Sequence, residues 1–100
     1  MSIKVYMTNI SGNQLVVGNQ RKTKHILDTN KILYTEIDIS DPKNSNEKEF
    51  LQRTLASVNQ KMILPQIFNQ DEYCCDFDGL LSAVESNTLN EILKLDNAAH

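Results

Sequence analysis

Two adjacent cysteines, Cys74 and Cys75, stand directly before Asp76-Phe77-Asp78, and this stretch holds the residues best equipped for chemistry. A cysteine pair can be a redox couple, a set of metal ligands or two independent thiols. Neighbouring Cα atoms lie about 3.8 Å apart, short of the roughly 4.4–6.8 Å that disulfides usually span. A bond between Cys74 and Cys75 would close a strained ring, so free thiols are expected and a disulfide only as a switch. The histidines, His25 and His100, are distant in sequence from the pair and complete no zinc-ligand spacing. Ser11 is a nucleophile only with a base beside it. His25 falls late in the helix that follows and His100 at the tail, so Ser11 reads as a helix cap. Asp76 is a natural N-cap for a helix beginning at Phe77. Asp78 then lies in its first turn, where negative charge is favourable.

The elements that must position these residues are legible in the hydrophobic spacing. Ile3 to Met7 reads as a strand, followed by the turn Thr8-Asn9-Ile10-Ser11-Gly12-Asn13. Val16, Thr23, Ile26 and Leu27 trace a first helix ending near Asn30. Leu33 to Ile39 is a second strand, stopped by Asp41-Pro42. Asn46 and Glu49 resemble a capping box, and Phe50, Leu51, Thr54, Leu55 and Val58 form the inward face of the second helix. Met62 to Phe68 reads as a third strand with Pro65 inside it, which confines the proline to an edge, a bulge or the strand's first residue. Ile63 and Leu64 should then be partly buried in the sheet. Asn69-Gln70-Asp71 turns into a short fourth strand, Glu72 to Cys74. Phe77, Leu80, Leu81 and Val84 follow helical spacing. Thr88 with Glu91 forms a capping box for a short last helix with Leu89, Ile92 and Leu93 inward, and residues 96–100 read as frayed. The order is β-α-β-α-β-β-α plus a short C-terminal helix. The first two strands should be parallel and the last two antiparallel, giving an α/β fold with a four-stranded mixed sheet flanked by helices.

One hundred residues make a single domain the expectation. The mix of 40% apolar and 23% charged residues is that of a globular chain, and the net charge of -3 offers nothing to nucleic acid. Arg21, Lys22 and Lys24 cluster on a helix face that solvation explains. No stretch is long and apolar enough for a membrane span. Met1-Ser2-Ile3-Lys4 lacks the features of a signal peptide, which points to the cytoplasm or nucleus and to reduced cysteines. There is no phosphate-loop glycine pattern.

The element order, with "IKVYMTNISG", "NKILYTEIDI", "LPQIFN", "YCCDFD" and "ESN", resembles the SH3-domain-binding glutamic-acid-rich-like proteins. These are a non-catalytic, glutaredoxin-like branch of the thioredoxin superfamily, and the resemblance spans roughly Ser2 to Leu95. It implies a thioredoxin-like fold with a cis peptide bond at Leu64-Pro65. Redox members hold a nucleophilic cysteine at the first strand-helix junction, where the helix N-terminus lowers its pKa. The matching loop, Thr8 to Asn13, has no cysteine. The resemblance also aligns Cys74 and Cys75 with a glycine pair that lets ligand approach closely, and larger side chains oppose that approach. It aligns Asp78 with an aspartate that contacts glutathione's amino group, while capping explains both aspartates without a ligand.

The expected function is therefore a non-enzymatic adaptor or modulator acting by protein–protein contact, with no cofactor. The expected binding groove comprises Thr8, Asn9, Ser11, Leu64, Pro65, Gln66, Phe77 and Asp78, with Cys74 and Cys75 as redox-sensitive thiols. The alternative is a glutathione- or thiol-binding protein using the same groove near Pro65 and Asp78. An SH3-ligand role, implied for the family by a proline-rich run, is weaker here, because "MILPQIF" has one proline and no PxxP.

Overall fold

The computed structural model describes residues 2–95; the expected fraying of 96–100 lies outside them. Four strands, β1 (Ile3–Met7), β2 (Tyr34–Asp38), β3 (Gln66–Asn69) and β4 (Glu72–Asp76), form one sheet in the order β2-β1-β3-β4. β1 and β2 are parallel, while β3 is antiparallel to both β1 and β4. The helices are α1 (Gln14–Thr29), α2 (Ser45–Ser57), α3 (Phe77–Ser86) and α4 (Leu89–Ile92), and a 3-10 turn at Pro42–Asn44 leads into α2. This is the thioredoxin-like arrangement that the resemblance implies.

Side chains alternate across a strand, so the sheet buries two separate clusters. Ile3, Val5 and Ile67 pack with Leu27 of α1, Leu80 of α3, and Leu93 on one face. Tyr6, Ile37 and Phe68 pack with Leu51 and Leu55 of α2 on the other. Phe68 centres that second layer, its ring 5.1 Å from Tyr6 and 5.5 Å from Tyr73 in edge-on contacts. The buried Tyr6 hydroxyl donates to Glu47 Oε1 at 2.9 Å, which satisfies it and ties β1 to the first turn of α2.

Helix ends account for most departures from the sequence reading. Asn13, not Ser11, caps α1, its side chain accepting from Leu15 N and Val16 N. α2 begins at Ser45, so Asn46 is already helical and the Asn46–Glu49 box does not form. Thr88 makes no cap bond either; its hydroxyl pairs with that of Ser86 at 2.8 Å. Asp76 does cap α3, accepting from Gly79 N at 2.9 Å. Each helix then closes on a non-glycine residue in the left-handed region: Lys31, Asn59, Asn87 and Lys94. After α1, Ile32 N donates to Leu27 O and Lys31 N to Asp28 O, the paired bonds of a Schellman stop.

β3 starts at Gln66, four residues later than the alternation suggests. The Leu64-Pro65 bond is cis and Pro65 has no N–H to give the ladder, so pairing cannot extend through it. Ile63 is therefore exposed rather than buried in the sheet. Val58, Leu81 and Val84 are also more exposed than their helical spacing implies, since α2 and α3 turn only narrow stripes inward, Leu51 and Leu55 in one and Leu80 and Ala83 in the other. The β3–β4 turn is Gln70-Asp71 alone. Asn69 closes β3, its side-chain amide donating to Leu93 O and Lys94 O.

Candidate functional site

The β1–α1 loop occupies the place where a redox relative presents sulfur, and hydrogen bonds hold it shut. Gln20, one turn into the buried stripe of α1, pairs with both backbone groups of Thr8. Thr8 N donates to Gln20 Oε1 at 3.0 Å, and Gln20 Nε2 donates to Thr8 O at 3.0 Å. Asn9 is drawn the other way, its N–H and Nδ2 donating to the Asp38 carboxylate at 3.3 and 2.9 Å. The Ser40 hydroxyl also donates to Asp38. That bond, with those from Ser40 N and Asn9, holds the Asp38 carboxyl below its ordinary range. Ser11 Oγ accepts from Asn13 N at 3.0 Å, bracing the turn into the helix cap.

Beside this loop lies a groove of about 440 Å³ between the start of α1 and the Met62–Leu64 segment. Thr8, Ser11 and Leu64 line it, so the structure brings three of the expected site residues together. Leu15 and Ile63 line it as well, although they are 70% and 57% exposed. On the same loop Ile10 is 78% exposed. Among the described residues, none that lines it is charged. The other expected residues lie elsewhere. Asn9 lines a separate cleft of about 220 Å³ with Arg21 and Lys24. Pro65 and Gln66 are fully buried. Gln66 Nε2 donates to Ile63 O at 2.6 Å, pinning the rim segment. Phe77 and Asp78 open α3, Phe77 half-buried and Asp78 exposed, and neither lines the groove.

Leu15, Ile63 and Gln20 are the site residues that sequence reasoning missed. Gln20 carried a signal: it lies four residues after Val16 and three before Thr23, a polar side chain on the inward stripe. The exposure of Leu15 and Ile63 had none, because spacing does not tell which apolar residue is left without a partner.

Cys74 and Cys75 are free thiols on β4. Burial pushes the Cys75 thiol up to about 12. Burial also raises Cys74, against a smaller opposing pull from the Lys94 ammonium. Both are protonated at neutral pH, the reverse of an activated thiol. Gly79 leaves room for the Cys75 side chain: a Cβ on Gly79 would stand 2.9 Å from the Cys75 Cβ. Among the described residues no three His, Cys, Asp or Glu side chains gather to hold a metal, and no helix is long and apolar enough to cross a membrane.

A mixed four-stranded sheet flanked by helices, with a cis-proline beside the β1–α1 loop, defines a thioredoxin-like fold of the glutaredoxin-like kind, and that loop carries no cysteine. The fold is shared with Aip5, an actin-interacting protein of C. albicans (TM-score 0.74, 22% identity, 92% of this chain and 87% of that one). It is also shared with glutaredoxin C1 of Populus tremula x tremuloides (TM-score 0.65, 16% identity, 92% of this chain and 82% of that one). Residues 1–96 match the family of SH3-binding, glutamic acid-rich proteins, and the chain belongs to that family. It is 38% identical over 103 residues to the SH3 domain-binding glutamic acid-rich protein homolog of Drosophila melanogaster; the match covers 95% of this chain and 65% of that relative's length.

Proposed function

We propose that this protein is a binding module that takes an uncharged, apolar segment of a partner protein into the groove between the start of α1 and Met62–Leu64. One juxtaposition carries the reading. The loop that would hold a nucleophile is sulfur-free and hydrogen-bonded shut, and the neighbouring groove exposes Leu15 and Ile63 with no charged residue among the described ones on its walls. Exposed apolar surface is costly unless something covers it, whereas redox work needs an ionised thiol that Cys74 and Cys75 do not supply.

Actin is the partner to try first, since Aip5 shares the fold and carries an actin-interacting name. Binding to an SH3 domain through "MILPQIF" is disfavoured, because its single proline, Pro65, is fully buried and cannot present a polyproline face. The test is co-sedimentation with actin, comparing the natural chain with Leu15→Asp and Ile63→Asp. Both positions are exposed, so the variants fold, and each should weaken binding at least tenfold. Equal binding by all three chains would remove the groove from the account.

A further inference from the structure

Cys74 and Cys75 remain outside the binding groove, and their placement breaks the rule of the strand. Regular alternation would send adjacent side chains to opposite faces of the sheet. The β3–β4 register prevents this. Ile67 pairs with Cys75 and Phe68 with Tyr73, so Cys74 is the extra residue of a β-bulge. Tyr73 accordingly packs with the α2-side cluster, while Cys74 and Cys75 both pack against the α1, α3 and α4 side. The bulge turns two consecutive thiols to one face. β4 is also an edge strand, and Cys74 is only half-buried, so the pair is reached from solvent through Cys74.

The geometry points to a two-thiolate site for copper(I), formed by Cys74 and Cys75. A disulfide would need the two sulfurs about 2 Å apart, which strains adjacent residues. A bridging metal relaxes that demand, because metal–thiolate bonds of about 2.3 Å let the sulfurs stand more than 4 Å apart. The small ligand set selects the ion. Structural zinc asks for four ligands, and no third His, Cys, Asp or Glu joins the pair among the described residues. Copper(I) is soft, favours thiolate and is satisfied by two of them. Loading replaces two S–H bonds with two Cu–S bonds and releases two protons; no electrons move. The resulting bis-thiolate centre carries one negative charge. Lys94 donates Nζ to Tyr73 O at 2.9 Å, which sets one ammonium on this edge of the sheet to offset that charge. Glu72, 4.0 Å from the same ammonium, offsets part of its positive charge.

The test is anaerobic titration of the fully reduced chain with copper(I) against a chromophoric copper(I) chelator. The natural chain should take one copper per chain with release of two protons, and should bind more tightly as pH rises. X-ray absorption should find two sulfur neighbours. Cys74→Ser and Cys75→Ser should each weaken binding at least a hundredfold. Cys75 is buried, so its variant is checked for folding by circular dichroism; Cys74→Ser carries the test if Cys75→Ser unfolds. Failure of the natural chain to compete with the chelator overturns the proposal. So does one copper shared between two chains, or natural affinity in folded Cys74→Ser.

Discussion

Replacing Gln20 with alanine should cost this fold about 2 kcal/mol, given that an unsatisfied buried polar group costs roughly 1–3 kcal/mol. The side chain is 6% exposed and spends both its polar atoms on Thr8, at 3.0 Å each. Alanine strips the partners from Thr8 N–H and C=O together. Thr8 is half-buried, so water recovers part of the loss, and alanine's better helix propensity returns about half a kcal/mol or less. For a domain of this size, 2 kcal/mol corresponds to a melting point about 8–16 °C lower. Urea denaturation measures the stability, and amide hydrogen exchange at Thr8 and Asn9 locates the effect, which should be loss of protection in the β1–α1 loop. Gln20→Glu keeps an acceptor for Thr8 N–H but places a charge against Thr8 O, so it should cost more than alanine. A loss below about 0.5 kcal/mol, the size of an ordinary surface substitution, with Thr8 protection unchanged, would refute the argument that Gln20 holds the loop.

Two glycines should respond with opposite signs. Gly79→Ala should destabilise by about 1–3 kcal/mol through overpacking, because its Cβ would meet the Cys75 Cβ at 2.9 Å and Asp76 Oδ1 at 3.3 Å; adding Cys75→Gly should recover most of it in a double-mutant cycle. Gly18→Ala, with nothing within 4 Å of the new Cβ, should stabilise by about 0.5–1 kcal/mol in thermal melts. Asp38 has a folded carboxyl held below its ordinary range, so its contribution is complete above the unfolded carboxylate range and is lost as pH falls through the folded value. Urea midpoints measured down the acid limb should show Asp38→Asn losing less stability there than the natural chain. Glutathione added during NMR observation should leave the Leu64, Phe77 and Asp78 amides in place; concerted shifts at all three would instead support a glutathione site.

Periodicity located the three long helices and the first two strands, because burial on one face imposes a period of two or 3.6 whatever the rest of the chain does, whereas the 3-10 turn at Pro42–Asn44 read as loop and β4 runs to Asp76, two residues beyond its expected end. It was least informative where elements end. The helices stop at Lys31, Asn59, Asn87 and Lys94 in place of glycine, so the usual stop signal is missing from the sequence. Which member of an apolar stripe faces inward was also illegible. Leu80 and Ala83 pack while Leu81 and Val84 do not, and that depends on where α3 lies against the sheet.

The loss of the nucleophile belongs to the sequence itself: a loop from Thr8 to Asn13 without cysteine has no sulfur to ionise in any conformation. Tertiary structure decided the rest. Only the packing of α1 brings Gln20 back onto Thr8, twelve residues away. Only the late start of β3, at Gln66, leaves Ile63 outside the sheet, where it lines an open groove together with Leu15. Only a one-residue slip between β3 and β4 turns Cys74 to the same side as Cys75. Each of these depends on where distant backbone segments meet, and a local pattern of residue types carries no record of that.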